Sequence, residues 1–152
     1  MARMDELRVS LSPRLSAVRS LAQMVEEFGD ANKLPDQQVY LINLALDELI
    51  TNTVSYGLRG VARPRIEVGL QVHDSSLVLS IVDNGEKFDP TENTNPDVSS
   101  PVDERPIGGL GLHLIKTFAD RVKYEYVDGK NRLILEHDLT PEAADGAVRA
   151  KR

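Results

Sequence analysis

Apolar and polar residues alternate along residues 6–11 (ELRVSL), the two-residue period of a strand with one buried face. Ser12-Pro13 then predicts a helix start, with a hydroxyl at the N-cap and a proline where the missing N–H does no harm. Leu15, Val18, Ala22 and Val25 follow at helical spacing, and Gly29 is the predicted stop. A second helix is predicted from Asp36 to about Tyr56, ended by Gly57. At 100° per residue its Val39, Ile42, Leu46, Leu49 and Ile50 share a third of the circumference and form a core stripe.

Two further strands are predicted, the alternating run Arg65–Val72 and, after a turn at His73–Ser76, the largely apolar run Leu77–Val82. Residues 84–107 lose all periodicity and carry Pro90, Pro96, Pro101 and Pro106; so long a stretch inside a compact domain predicts a lid or a linker. A glycine cluster opens a third helix, about Leu110–Ala119. Val122–Val127 and Arg132–Leu139 then form a hairpin around Asp128-Gly129, a favoured tight-turn pair. Strands grouped in hairpins with helices between them predict an α/β two-layer sandwich, with a mixed, mostly antiparallel sheet and helices on one face. The expected organisation is one domain over residues 1–139, with a lid at about 86–107 and a flexible polar tail at 140–152.

Composition narrows the functions. Eighteen basic against 24 acidic residues leave a net charge of −6, which argues against a nucleic-acid binder that works by neutralising phosphates. With no cysteine, disulfides, thiolate metal sites and cysteine nucleophiles are excluded. Apolar runs are strand-sized, below the ~20 residues of a membrane span, and the first residues lack a signal-peptide core. A cytoplasmic protein without membrane contact is expected. His73, His113 and His137 are scattered, and none has metal-ligand spacing.

Three places carry candidate chemistry. Glu48 and Asn52 lie four residues apart, so they stack on one face of the second helix, away from the core stripe and beside Leu41 and Ala45. By themselves they read first as an ordinary solvent pair, and neighbouring Asp47 reads as surface charge. Leu77–Val82 runs out into Asp83-Asn84-Gly85, where a carboxylate at a strand exit is a rigid acceptor for an amino group and Gly85 permits a turn and a close approach. A plain Asp-Gly or Asn-Gly turn is the alternative there. Gly108, Gly109, Leu110 and Gly111 open the third helix and expose N–H groups beside its positive dipole end, a phosphate site or else a hinge. No Gly-Lys-Ser/Thr follows, so this is not a P-loop, and the third glycine of a dinucleotide fingerprint is missing. Arg105 stands just before the cluster, within reach of a terminal phosphate or simply in the lid.

Taken in order, Glu48-x-x-x-Asn52, Asp83-x-Gly85 and Gly109-x-Gly111 resemble the N, G1 and G2 boxes of the GHKL (Bergerat-fold) ATPases over about residues 6–139. Within that superfamily the chain is most similar to the anti-sigma regulatory factors, bacterial serine/threonine kinases, in its ELITNTVSYG and DNGEKFDP segments. The resemblance implies ATP and Mg²⁺ as cofactors. It implies that Asn52 ligates the metal and that Glu48 is the general base for a seryl hydroxyl. Asp83 would read the adenine amino group with Gly85 leaving room for the base, and Gly109 and Gly111 would present N–H groups to phosphates. It also implies a STAS-type antagonist protein as substrate, a sigma factor as a sequestered partner, and a homodimer. Two positions depart from the superfamily pattern. Lys87 replaces the second glycine of the G1 box, and Asn131 or Arg132 replaces a small hydroxyl residue at the start of the last strand. Two other readings are a nucleotide-gated binding module and a histidine-kinase-like fragment.

Overall fold

A computed structural model describes residues 5–91 and 109–139 of the chain. The element order is β1 (Glu6–Leu11), α1 (Ser16–Ala31), α2 (Asp36–Asn52), a π-helical turn (Thr53–Gly57), β2 (Ile66–His73), β3 (Ser76–Asp83), α3 (Gly109–Phe118), β4 (Arg121–Val127) and β5 (Lys130–Asp138). The strands form a single sheet in the order β1-β2-β3-β5-β4. All four pairings are antiparallel, so the mixed component expected of the sheet is absent among the described residues.

Strand alternation decides which face is covered. Ile66, Val68 and Leu70 of β2, Leu77, Leu79 and Ile81 of β3, and Leu133 and Leu135 of β5 are buried on one face. They share one core with Leu21, Val25 and Phe28 of α1 and Ile42, Leu46, Leu49 and Ile50 of α2. Glu67, Gln71 and Arg132, at the intervening positions, are exposed. This is the two-layer arrangement expected from the pattern, because a period-two strand has one apolar face to hide and a helical stripe hides it. Both hairpin turns use left-handed residues: Asp74 (φ 57°) between β2 and β3, and Asp128 and Gly129 (φ 55° and 74°) between β4 and β5.

Helix limits differ from the periodicity in three ways. The chain makes a turn at Ser12–Leu15 before α1 begins at Ser16, and no side chain caps that start, so Ser12 is not the N-cap. At the other end α1 runs two residues beyond Gly29 to Ala31. There the Asn32 side chain donates to the Phe28 carbonyl at 2.9 Å and Lys33 takes φ 56°. Gly29 is in fact a contact point between helices: a Cβ there would run into the Val39 side chain of α2. Gly29→Ala is therefore expected to cost about 1–3 kcal/mol through overpacking, read as a lower midpoint in thermal or denaturant unfolding. The α-helical ladder of α2 ends at Asn52, and the chain continues to Gly57 as a wider turn in which the Leu58 N–H reaches the Thr53 carbonyl at 2.9 Å. Finally, Ala45 belongs to the core at 1% exposure and not to the cleft face, while Val39 is only half-buried.

Candidate functional site

The C-terminal half of α2, the exit of β3 and the β4–β5 hairpin enclose a cavity of about 280 Å³. Its wall includes Asn52, Thr53 and Tyr56 from the α2 end, Asp83 from β3, Glu86 to Phe88 from the following loop, and Tyr124 and Asn131 from the hairpin. Leu49, Ile81 and Leu133 supply apolar surface, and Tyr56 and Phe88 are partly exposed at 40% and 37%. A flat heterocycle suits such a pocket: apolar walls for its faces and a few fixed polar groups at its edge.

The stacked pair of α2 is made. Asn52 Nδ2 donates to Glu48 Oε2 at 3.3 Å, both residues being half-buried, and Asn52 lines the cavity one helical turn beyond Glu48. Thr53 Oγ1 donates to the Leu49 carbonyl at 3.0 Å, a backbone bond that accompanies the change of helical winding just after Asn52. Asp47 is exposed.

Each residue of Asp83-Asn84-Gly85 has its own task. Asp83 is in register with Asn131 of β5; its Oδ1 accepts from Asn131 Nδ2 at 3.0 Å and from the Gly85 N–H at 2.8 Å. Burial pushes the Asp83 carboxyl above the usual carboxylate range, and the two hydrogen bonds partly offset that rise. Asn84 turns outward and staples the strand exit, accepting from the Arg65 N–H and donating to the Arg63 carbonyl, both at 2.8 Å. Gly85 lies directly on the end of the π turn, where a Cβ would meet the Gly57 carbonyl group, with the carbon at 2.9 Å, and the next N–H, of Glu86, donates to the Gly57 oxygen at 3.0 Å. Backbone meets backbone here and neither side can swing away. Gly85→Ala is expected to push the loop off the α2 end and weaken nucleotide binding about tenfold, roughly the loss of one hydrogen bond. Equilibrium titration checks this.

Sequence reasoning noted Lys87 and Asn131 as departures without seeing their contacts. Lys87 carries its ammonium 5.9 Å from the centre of the Tyr126 ring, along the β4 edge. Asn131 is buried and bonds to four residues around the pocket besides Asp83. Tyr124 was not anticipated at all; its hydroxyl donates to Asn131 Oδ1, and burial pushes its ionisation upward. The one available clue was its position, two residues before the residue that pairs with Asn131 across the hairpin.

Gly109, Leu110 and Gly111 form the first turn of α3, which packs on α2. Arg105 and Gly108 lie outside the described residues, as do most of the expected lid and the tail. No helix among the described residues is long and apolar enough to cross a membrane.

Comparison with known proteins agrees with this arrangement. Residues 11–136 match the family model of the histidine kinase-like ATPase domain. The serine/threonine-protein kinase BtrW of Bordetella bronchiseptica is 31% identical over 104 residues, 68% of this chain and 73% of that protein. The serine-protein kinase RsbW of Listeria monocytogenes is 35% identical over 92 residues, 58% of this chain and 59% of that protein. RsbW of Oceanobacillus iheyensis is 28% identical over 124 residues, 78% and 76% of the two chains. In fold, the chain superposes on the structure of the RsbU and RsbW domains of Rv1364c from Mycobacterium tuberculosis with a TM-score of 0.63, at 18% identity, covering 88% of this chain and 32% of that one. The histidine kinase domain of a blue-light activated kinase from Erythrobacter litoralis gives a TM-score of 0.54 at 12% identity over 86% of this chain and 63% of that one. A matched span of 126 residues (136 − 11 + 1) out of 152, together with these relatives, means that the chain belongs to the histidine kinase-like ATPase domain family, among its serine-protein kinases.

Proposed function

We propose that this protein is an ATP-dependent serine/threonine protein kinase that acts on a small regulatory protein and also sequesters a sigma factor. The observation that carries the reading is the hydrogen-bonded Glu48–Asn52 pair, whose amide faces the same cavity as the half-buried carboxylate of Asp83. A module that merely bound nucleotide would have no need of a carboxylate beside the amide. The relatives named as serine-protein kinases support the same reading.

In this proposal Asp83 accepts from the exocyclic amino group of adenine, with the apolar wall of Leu49, Ile81 and Leu133 against the ring. The N–H groups at the start of α3, from Gly109 to Gly111, face the phosphates, with Arg105 and Gly108 nearby in the chain. Asn52 is a fitting ligand for Mg²⁺: with Nδ2 donated to Glu48, its Oδ1 remains a hard oxygen donor. Among the described residues no group of three His, Asp or Glu side chains is arranged to hold a metal ion, so such a cation would share its ligands between Asn52, water and the nucleotide's phosphates. Bound there, Mg²⁺ would neutralise charge on the transferred phosphoryl group.

Glu48 takes the proton. As the seryl oxygen of the substrate approaches the γ-phosphorus, an O–P bond forms and the bond from the γ-phosphorus to the bridging oxygen of ADP breaks. The hydroxyl proton passes to the Glu48 carboxylate. The hydrogen bond from Asn52 keeps Glu48 in one orientation for this. The resemblance to anti-sigma regulatory factors supports a STAS-type antagonist as the phosphoacceptor protein, a sigma factor as the second partner, and a homodimeric assembly.

Incubation with γ-labelled ATP, magnesium and a candidate antagonist tests the proposal. Acid-stable label on a serine or threonine of the antagonist is expected. Acid-labile label would indicate transfer to histidine, and ATP uptake with no transfer to any candidate would leave a binding module in its place.

A further inference from the structure

Among the described residues Asn131 is the buried polar side chain, at 6% exposure. An amide offers two N–H donors and two acceptor lone pairs, and here every one is engaged. Nδ2 donates to Asp83 Oδ1 at 3.0 Å and to the Glu86 carbonyl at 2.8 Å, with a longer contact of 3.4 Å to the Gly85 carbonyl. Oδ1 accepts from the Phe88 N–H at 2.9 Å and from the Tyr124 hydroxyl. Four pieces of the pocket thus meet on one residue: β3, the loop after it, β4 and β5.

The effect on Asp83 is specific. Its Oδ1 holds two donors, Asn131 and the Gly85 N–H, so the carboxylate plane is set and Oδ2 is left to accept from a ligand. We infer that Asn131 is the positioning residue for base recognition, locking Asp83 and the Gly85–Phe88 segment into a unit that accepts from a 6-amino purine. Resting on the adenine-reading role proposed for Asp83, this assigns to an amide of β5 the task of orienting that acid. Without it Asp83 could rotate about its side-chain torsions, and the loop would lose three of its ties to the sheet.

A second consequence concerns protonation. The Asn131 donor favours the ionised form of Asp83 against burial, so removing it raises that carboxyl further. The titratable groups that share the cavity with Asp83 are Glu86 and Lys87 of the loop and Tyr124 of β4, while the α2 end contributes the uncharged Asn52 and Thr53 and the phenol Tyr56. Asp83 must be ionised to accept well. In the variant, ATP binding should therefore fail at a higher pH as the solution is acidified.

Calorimetric titration of the full chain with magnesium and either ATP or purine riboside triphosphate, which lacks only the 6-amino group, tests the inference. Wild type is expected to prefer ATP by about 10–100-fold, the worth of a hydrogen bond to a charged group. In Asn131→Ala that preference should collapse towards unity, with the acid limb of ATP binding moved to higher pH. Asn131→Leu, which keeps the approximate shape but offers no donor, should show the same collapse if the alanine variant does not fold. A folded variant that keeps the full preference for ATP and an unmoved acid limb overturns the role of Asn131. Wild type that fails to distinguish the two nucleotides overturns the reading of Asp83 itself.

Discussion

Glu48→Gln is expected to slow phosphoryl transfer by about 10²–10⁴-fold, the usual contribution of a placed general base, while ATP binding persists. Glutamine keeps a side-chain oxygen that can still accept from Asn52 Nδ2, now at 3.3 Å from Glu48 Oε2. Asn52 therefore stays where it is, and with it the magnesium-dependent part of nucleotide affinity. Only the basic carboxylate is lost. Glu48→Ala removes the base and the partner of Asn52 together, so it should lower both transfer and affinity. Single-turnover transfer of γ-label to the substrate protein, run beside equilibrium ATP titration, separates the two. A glutamine variant that transfers at the wild-type rate would remove Glu48 from the chemistry. One that loses ATP binding would make the residue structural.

Asp83→Asn is expected to lower ATP affinity about 10–100-fold, and to stabilise the nucleotide-free protein at neutral pH. The affinity follows from replacing a charged acceptor with an amide whose N–H₂ meets the amino group of the base, donor against donor. Stability moves the other way because of burial. Desolvation raises the carboxyl of folded Asp83 above its unfolded value, despite the help of Asn131 and the Gly85 N–H. The folded state then holds that proton more tightly than the unfolded state. Below the unfolded pKa Asp83 is neutral in both states and costs nothing. As the pH rises through the window up to the raised folded value, its ionisation weakens the fold, and the cost persists above it. Asparagine has no such titration and can keep the Oδ1 contacts to Asn131 and Gly85. Thermal melts across pH should show a higher midpoint for the variant at neutrality, converging with wild type at acid pH. A variant that melts lower at neutral pH would mean that the Asp83 charge stabilises the site.

These two residues were visible in the sequence for different reasons. Glu48 and Asn52 are brought together by the helix itself, whose 3.6-residue turn stacks positions four apart wherever the helix lies. Asp83 was marked by where the apolar strand run Leu77–Val82 stops and Asn84-Gly85 lets the chain turn. The Asp128-Gly129 hairpin was equally local, because two left-handed residues are needed and few residue pairs provide them.

What escaped the sequence depends on contacts made across long stretches of chain. Gly29 looked like a helix end because glycine commonly is one; its packing against Val39 exists because α2 returns alongside α1. Ala45 looked like a cleft residue by its angle round the helix, but elements distant in sequence pack over its small side chain and leave it 1% exposed.

Local periodicity thus determined the strands, the helices, the Glu48–Asn52 pair and the acid at the β3 exit, since each follows from the geometry of a few consecutive residues. The tertiary structure decided that β5 enters the sheet beside β3 while β4 takes the edge, and so put Asn131 opposite Asp83 and Tyr124 above it. Strand order is chosen by the total burial of the assembled sheet and by which backbone edges remain to be paired, quantities that no short window of sequence contains.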